Sequence, residues 1–332
     1  MRVVNHNSID RNKWISYVNG HQFGTLFHLP EILDVYSKTN GYDPFTLFVT
    51  DNDDLIIAML LGYVQTVYKI NIGNTNKRIV LMNSPICNSK EALDCLLNRF
   101  KSIYKKKGLY AEIRNHYDLT DYAEVYTRHN FDYEDHCNIL IDLSQNEDAI
   151  LADMSSRRRK EVRHGAKENF EFKRISEQDY DNFYQILSGI YDHAKMPLVD
   201  KSYFESVWKM DDRYKVILGL YENETLVGAV LLFTYKQTIY SMYGGSRSEY
   251  YNRRPNDYMF SQVFLWAKQK GYIVYDWLGA GNPNKPYGVR DWKKQFGGSM
   301  VNYGRYHLIA SPFKYKLAVT AFKLLQKAKK QI

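Results

Sequence analysis

The residues best suited to chemistry lie in one run, Tyr275-Asp-Trp-Leu-Gly-Ala-Gly-Asn-Pro-Asn-Lys-Pro-Tyr-Gly-Val-Arg-Asp-Trp-Lys-Lys-Gln-Phe-Gly-Gly298. Its pattern predicts a strand ending at Leu278, a glycine- and proline-rich loop over Gly279–Gly288, then a short helical turn. Loops at strand ends are where binding and catalytic side chains concentrate. The turn puts Trp292 beside Lys293, a stacking face next to a mobile cation. Tyr287 in the same loop is a further candidate for substrate contact. Asp276 is a candidate proton acceptor, or an anchor for its neighbours. Asn256 and Tyr258 follow Pro255 at the start of a predicted helix, where they either hydrogen-bond substrate or cap the helix.

Other chemistries lack their residues. His129, His136 and Cys137 are close in sequence but not at the spacing of a structural zinc site, and there is no His-Glu-x-x-His helix, so no metal site is expected. No cysteine sits in a nucleophile elbow or redox motif. Tyr243-Gly-Gly-Ser246 ends a strand without the spacing of a Walker loop or a dinucleotide turn.

The elements that would position these residues occur twice. Leu47-Phe-Val-Thr-Asp-Asn-Asp-Asp-Leu-Ile-Ile-Ala-Met-Leu-Leu61 aligns without a gap on Leu218-Gly-Leu-Tyr-Glu-Asn-Glu-Thr-Leu-Val-Gly-Ala-Val-Leu-Leu232, 171 positions later. Leu55 falls on Leu226 and Ala58 on Ala229. Each copy reads as a β-hairpin. Each continues into a β-rich stretch, an amphipathic helix ending in Lys-x-Gly (Lys90–Gly108, Asn256–Gly271) and a short strand (Leu109–Arg114, Tyr272–Leu278). The prediction is an α+β chain of two similar domains, residues 1–145 and 146–310. Asn138–Leu143 would close the first and Met300–Leu308 the second.

Trp292-Lys-Lys-Gln-Phe-Gly-Gly298 resembles the Phe-Lys-x-x-Phe-Gly-Gly signature of Fem-type transferases, with Trp292 in place of the usual phenylalanine. Tyr275-Asp-Trp-Leu-Gly279 resembles that family's Tyr-Asp-hydrophobic-x-Gly strand. The basic run Met154-Ser-Ser-Arg-Arg-Arg-Lys-Glu-Val-Arg-His-Gly-Ala-Lys167 resembles the segment opening its second domain. The likeness extends over the whole chain and implies two tandem GNAT-like (acyl-CoA N-acyltransferase-like) domains, with the active site in the second. It further implies that the C-terminal helix, 311–332, returns to complete the first. The activity implied is transfer of an aminoacyl group from aminoacyl-tRNA to an amine on a UDP- or lipid-linked envelope precursor. The wider GNAT-like and BioF2-like superfamily shares this ending and includes polysaccharide-locus proteins whose donors are unknown.

Attack of an amine on an acyl ester needs aligned reactants, a stabilised oxyanion and a destination for the proton. The resemblance assigns the oxyanion role to Lys293, lets Trp292 stack on substrate, and makes Lys38 a first-domain phosphate contact. Acyl-CoA is the alternative donor, but GNAT domains hold its pyrophosphate on a glycine-containing turn at a helix N-terminus. The corresponding stretches, Ser246–Pro255 and Asn71–Asn76, lack that motif. No tightly held cofactor is expected.

Charge placement fits an anionic partner. The net charge is +8, with eight basic and three acidic residues over Arg157–Arg174, and nine basic and none acidic over Trp292–Ile332. Arg157, Arg158, Arg159, Lys160 and Arg163 are the candidate tRNA-phosphate contacts. The apolar stripe Phe313, Leu317, Leu324 and Ala328, flanked by lysines, suits a helix docked on the first domain or resting on a membrane surface. That leaves a third reading, a non-catalytic RNA- or membrane-binding module. The longest apolar run, Ile56–Val64, is far too short to span a bilayer. Three cysteines without paired spacing and an N-terminus without an apolar core point to a cytoplasmic protein.

Overall fold

The computed structural model describes residues 1–66, 76–313, 315–317 and 320, with the backbone alone for 104–106. The first unit comprises Met1–Asp135 and Tyr303–Ile332, the second His136–Asn302. Unit 1 contains β1 (Arg2–Val4), α1 (Arg11–Gly20), α2 (Pro30–Ser37), β2 (Tyr42–Thr50), β3 (Ile56–Thr66), β4 (Lys77–Leu81), β5 (Ile86–Cys87), α3 (Lys90–Lys107), β6 (Tyr110–Arg114), α4 (Ala123–Arg128) and β7 (Asp132–Glu134). Unit 2 contains β8 (Cys137–Asp142), α5 (Glu147–Asp153), α6 (Ser156–Gly165), β9 (Glu171–Arg174), α7 (Tyr180–His193), α8 (Lys201–Trp208), β10 (Lys215–Glu222), β11 (Thr225–Tyr235), β12 (Thr238–Ser246), α9 (Pro255–Gln269), β13 (Val274–Asp276), α10 (Gly288–Lys294) and β14 (Ser299–Asn302). The last strand, β15 (Arg305–Ile309), belongs to unit 1.

The strand orders make the repeat explicit. One sheet runs β1-β2-β3-β4-β6-β15-β7, with β5 paired to β3; the other runs β9-β10-β11-β12-β13-β8-β14. In each, a parallel pair (β4 with β6, β12 with β13) lies among antiparallel neighbours. Strand for strand the orders match, and β15 takes in the first sheet the place that β8 takes in the second. The final strand of each repeat therefore pairs in the other repeat's sheet. The two expected domain ends are corrected accordingly. Asn138–Leu143 does not close the first domain: β8 pairs with β13 and β14, and buries Cys137, Ile139 and Ile141 in the core of unit 2. Met300–Leu308 is not one strand, because the chain turns at Gly304, whose φ is +65°. A Cβ there would lie 2.2 Å from the Tyr133 ring, so only glycine fits the turn.

The hairpins correspond as expected, with one shift. A bulge follows Val49 in β2 and Leu220 in β10, 171 positions apart, but the partners of those residues are Ala58 and Gly228, 170 apart. The second turn is tight, with Asn223 and Glu224 both at positive φ, which suits the right-handed twist of its strands. The gap-free alignment therefore slips by one residue on the second strand.

Helix α9 illustrates how the core forms. Pro255 starts it, where a missing N–H costs nothing. Met259, Phe260, Val263, Phe264 and Ala267 form one buried face against the sheet. Each large side chain there contributes about 1.5–3 kcal/mol of burial. Asn71–Thr75, where the first repeat's phosphate turn was sought, and most of the C-terminal helix lie outside the described residues. Within that helix, the Tyr315 ring meets Tyr110 of unit 1 edge-on at 5.3 Å, while Phe313 and Leu317 are exposed. No helix among the described residues is long and apolar enough to cross a membrane.

Candidate active site

The candidate site forms where a parallel strand pair opens. Strands β12 and β13 pair only from Thr238–Val274 to Tyr240–Asp276. β12 continues to Ser246 with β11 as its partner, so beyond Asp276 the two strands part. Ser241–Gly244 on β12 are only half-buried as a result. Tyr243 from this stretch meets Phe204 at 5.0 Å, Tyr203 at 6.0 Å and Tyr191 at 6.1 Å. Tyr287, on the loop before α10, is exposed.

Asp276 ends β13 at the point of parting, and it is buried. Its Oδ1 accepts hydrogen bonds from Asn138 Nδ2 (2.7 Å) and the Leu278 amide (2.6 Å). Leu278 adopts φ +55°, unusual for a branched side chain and the kind of local strain that functional loops carry. Burial pushes the Asp276 carboxyl up to about 6, opposed by the two hydrogen bonds and by the Lys293 charge. Lys293, on α10, donates from Nζ to the carbonyls of Trp277 (3.0 Å) and Gly279 (2.8 Å) and lies over the Trp277 ring. Burial pulls its ammonium down to about 8, opposed by Asp276. Two of the three ammonium donors are thus used, and one is left for a substrate.

The glycine pair that ends the motif holds α10 in place. Gly297 and Gly298 have φ of +86° and +81°, and a Cβ on either would come within 2.4 Å of Asp153 Oδ2 or the Leu140 carbonyl. The Gly298 amide donates to Asp153 Oδ2 (2.6 Å), and the Ser155 amide to the Gln295 carbonyl (2.9 Å). The two glycines therefore let the chain leaving α10 approach the end of α5 and strand β8 closely.

Several sequence-based assignments change. Trp292 is not a free stacking face: its indole N–H donates to Asp257 (3.2 Å), and its ring packs on Phe296 (4.8 Å), Phe260 (5.4 Å) and Trp277 (5.7 Å). Arg158 is withdrawn as a phosphate contact, since it is buried, ion-paired with Asp257, and lies over the Trp292 and Phe296 rings. Arg159 is half-buried and donates to the carbonyls of Ala152 and Met154. Arg157, Lys160 and Arg163 are exposed on α6. Asn256 does not cap α9, whose N-cap is Arg254; its Oδ1 is buried with no hydrogen-bond partner among the described residues. Tyr258 serves helix packing, its Cβ lying 2.6 Å from where a Cβ on Gly165 would be. Lys38 is exposed at the C-cap of α2 in unit 1.

Two residues that the sequence reading did not single out complete the cluster. Asn138 is an amide inside an otherwise apolar strand, a usable signal that was lost because β8 was assigned to the first domain. Asp257 sits between Asn256 and Tyr258, where an acid in a first helical turn reads simply as a complement to the helix dipole. Among the described residues, no three His, Cys, Asp or Glu side chains are placed to hold a metal ion.

The architecture is that of two tandem GNAT-like domains in an α+β chain. Residues 152–294 match the family model described as an acetyltransferase (GNAT) domain. A stretch of 123 residues is 34% identical to a lipid II:glycine glycyltransferase of Staphylococcus saprophyticus subsp. saprophyticus, covering 33% of this chain and 29% of that one. The match thus spans less than a third of that relative's length. The crystal structure of FemX is similar over 98% of this chain and 100% of its own, with a TM-score of 0.72 at 16% identity. The structure of L-PGS from Bacillus licheniformis is similar over 94% and 96%, with a TM-score of 0.60 at 15% identity. On the sequence side the chain is thus similar to a glycyltransferase, and in fold to FemX.

Proposed function

We propose that the chain is a cytoplasmic N-acyltransferase that moves an aminoacyl group from aminoacyl-tRNA to an amine of a UDP- or lipid-linked cell-envelope precursor. The observation that carries this reading is the buried Asp276 carboxylate and the half-buried Lys293 ammonium, bonded to the adjacent residues Leu278 and Gly279 at the opening between β12 and β13, in a segment that matches an acyltransferase family. The 34% identical glycyltransferase supports the aminoacyl group and the lipid II-type acceptor.

In this mechanism the acceptor amine attacks the acyl ester directly. The remaining N–H of Lys293 meets the developing oxyanion, Asp276 Oδ2 receives the proton the amine loses, and that proton passes to the tRNA ribose oxygen as the acyl C–O bond breaks and the tRNA leaves with a free hydroxyl. Asp276 must be ionised and Lys293 protonated, which their shifted values allow together between about 6 and 8. Arg157, Lys160 and Arg163 on α6 contact tRNA phosphates.

The start of α9 argues against acyl-CoA. A helix N-terminus favours an anion, but here Pro255 brings no N–H and Asp257 already supplies the negative charge. Arg253 is ion-paired with Glu168 and Glu222, and Arg254 with Glu161. The test is donor binding by the whole chain. Micromolar binding of aminoacyl-tRNA with no heat on titrating CoA supports the proposal; tight CoA binding without tRNA binding returns it to an acetyltransferase. A chain that binds RNA or vesicles but transfers nothing would be a binding module.

A further inference from the structure

Asn138 lies at the centre of the hydrogen bonds that shape the candidate site. Its Nδ2 donates to Asp276 Oδ1 (2.7 Å), and its Oδ1 accepts from the Gly279 amide (2.8 Å) and the Ile139 amide (2.8 Å). The amide can sit only one way round. Flipped, its NH2 would face two N–H donors and its oxygen a carboxylate. On either side the backbone repeats the connection: the Trp277 amide donates to the Ile139 carbonyl (3.2 Å), the Ala280 amide to the Cys137 carbonyl (2.6 Å), and the Cys137 amide to the Gly281 carbonyl (2.8 Å).

These bonds have two consequences for the reacting groups. The carboxylate of Asp276 is held by Oδ1, which leaves Oδ2 as the oxygen without a hydrogen bond from the described residues. Gly279 is held by its N–H while its carbonyl takes the Lys293 ammonium. One buried amide therefore sets both the proton acceptor and the carbonyl that aims the lysine.

We infer that Asn138 is a positioning residue for the transfer reaction, orienting Asp276 and, through Gly279, Lys293. This rests on the proposed roles of those two residues. Leucine in its place would strand two N–H groups and a carboxylate oxygen in a buried site. Aspartate would keep the shape but set two carboxylates against each other, so that they share a proton and neither ionises normally.

The test uses Asn138→Asp, Asn138→Ser, Asp276→Asn and the exchange Asn138→Asp/Asp276→Asn, each in the full chain. Asp276 is followed by carboxyl ¹³C NMR, which needs no substrate, alongside single-turnover transfer and thermal melting. Asn138→Ser removes a bond that favours the ionised carboxylate, so Asp276 should titrate at least one pH unit above its value of about 6. The acidic limb of the transfer rate should move with it, and turnover at pH 6.5 should fall at least about threefold. In the exchange variant the atom replacing Asp276 Oδ1 would have to donate to residue 138 while accepting from the Leu278 amide, so its melting temperature should stay below the wild type and its rate at the Asp276→Asn level. An unmoved Asp276 titration, or an exchange variant that recovers rate together with stability, overturns the positioning role. Full turnover in Asp276→Asn would instead overturn the acceptor role of Asp276, which distinguishes the two failures.

Discussion

Replacing Lys293 by methionine keeps an unbranched side chain one atom shorter and removes the ammonium with its charge and donors. Three effects follow from its contacts. The bonds to the Trp277 and Gly279 carbonyls are lost, and charge-assisted bonds of this kind contribute about 1.5–3 kcal/mol each before relaxation and water replace part of it. The donor assigned to the oxyanion is lost, which corresponds to roughly 10²–10³ in turnover, or about 2.7–4 kcal/mol. Asp276 loses a neighbouring cation that holds its carboxyl down, so the acidic limb of the rate profile should move upward. Substrate affinity should change far less than turnover, because the interaction matures only in the transition state. The assay is single-turnover transfer of a radiolabelled amino acid, with Lys294→Ala as the comparison. Lys294 is exposed, carries the same charge and makes none of these bonds. A general electrostatic role would raise KM equally in both variants and leave kcat unchanged, and that result would refute the reasoning.

Three further outcomes are expected. The wild-type rate should be bell-shaped in pH, rising as Asp276 ionises near 6 and falling as Lys293 deprotonates near 8; a flat profile from 5 to 9 would remove the acid–base pair. Changing Arg157, Lys160 and Arg163 to alanine should weaken RNA binding and flatten its logarithmic salt slope by roughly 2–3, as loss of three phosphate contacts requires; a filter-binding titration with an unchanged slope would leave α6 a solvated helix. In unit 1, Glu112 is buried between Arg114 and Arg305, which hold its carboxyl well below the usual range despite burial. Its contribution is present above the unfolded carboxylate value and lost as pH falls, so Glu112→Gln should cost about 3–5 kcal/mol at pH 7 and progressively less below about pH 4.5 in urea titrations.

The repeat was legible because hairpin runs with a shared turn survive in sequence, and the Trp-Lys-x-x-Phe-Gly-Gly motif was legible because two glycines at positive φ leave no alternative residue. The strand exchange was not. β8 and β15 carry no local mark of the sheet they enter, and which sheet a strand joins depends on partners more than 130 residues away in sequence. That error hid Asn138, which became visible only when β8 was seen against β13. Trp292 and Arg158 misled for a different reason. Aromatic and basic side chains serve equally well as contacts for substrate and as a packed cation–π stack, and sequence does not distinguish the two.

The central claim is the transfer itself. Purified chain should be incubated with ¹⁴C-labelled aminoacyl-tRNA and lipid II, with parallel reactions using the UDP-linked muropeptide, acetyl-CoA as donor, and RNase pretreatment. The account predicts label appearing on an amine of an envelope precursor from aminoacyl-tRNA, abolished by RNase and by Lys293→Met. Label transferred from acetyl-CoA and unaffected by RNase would contradict it.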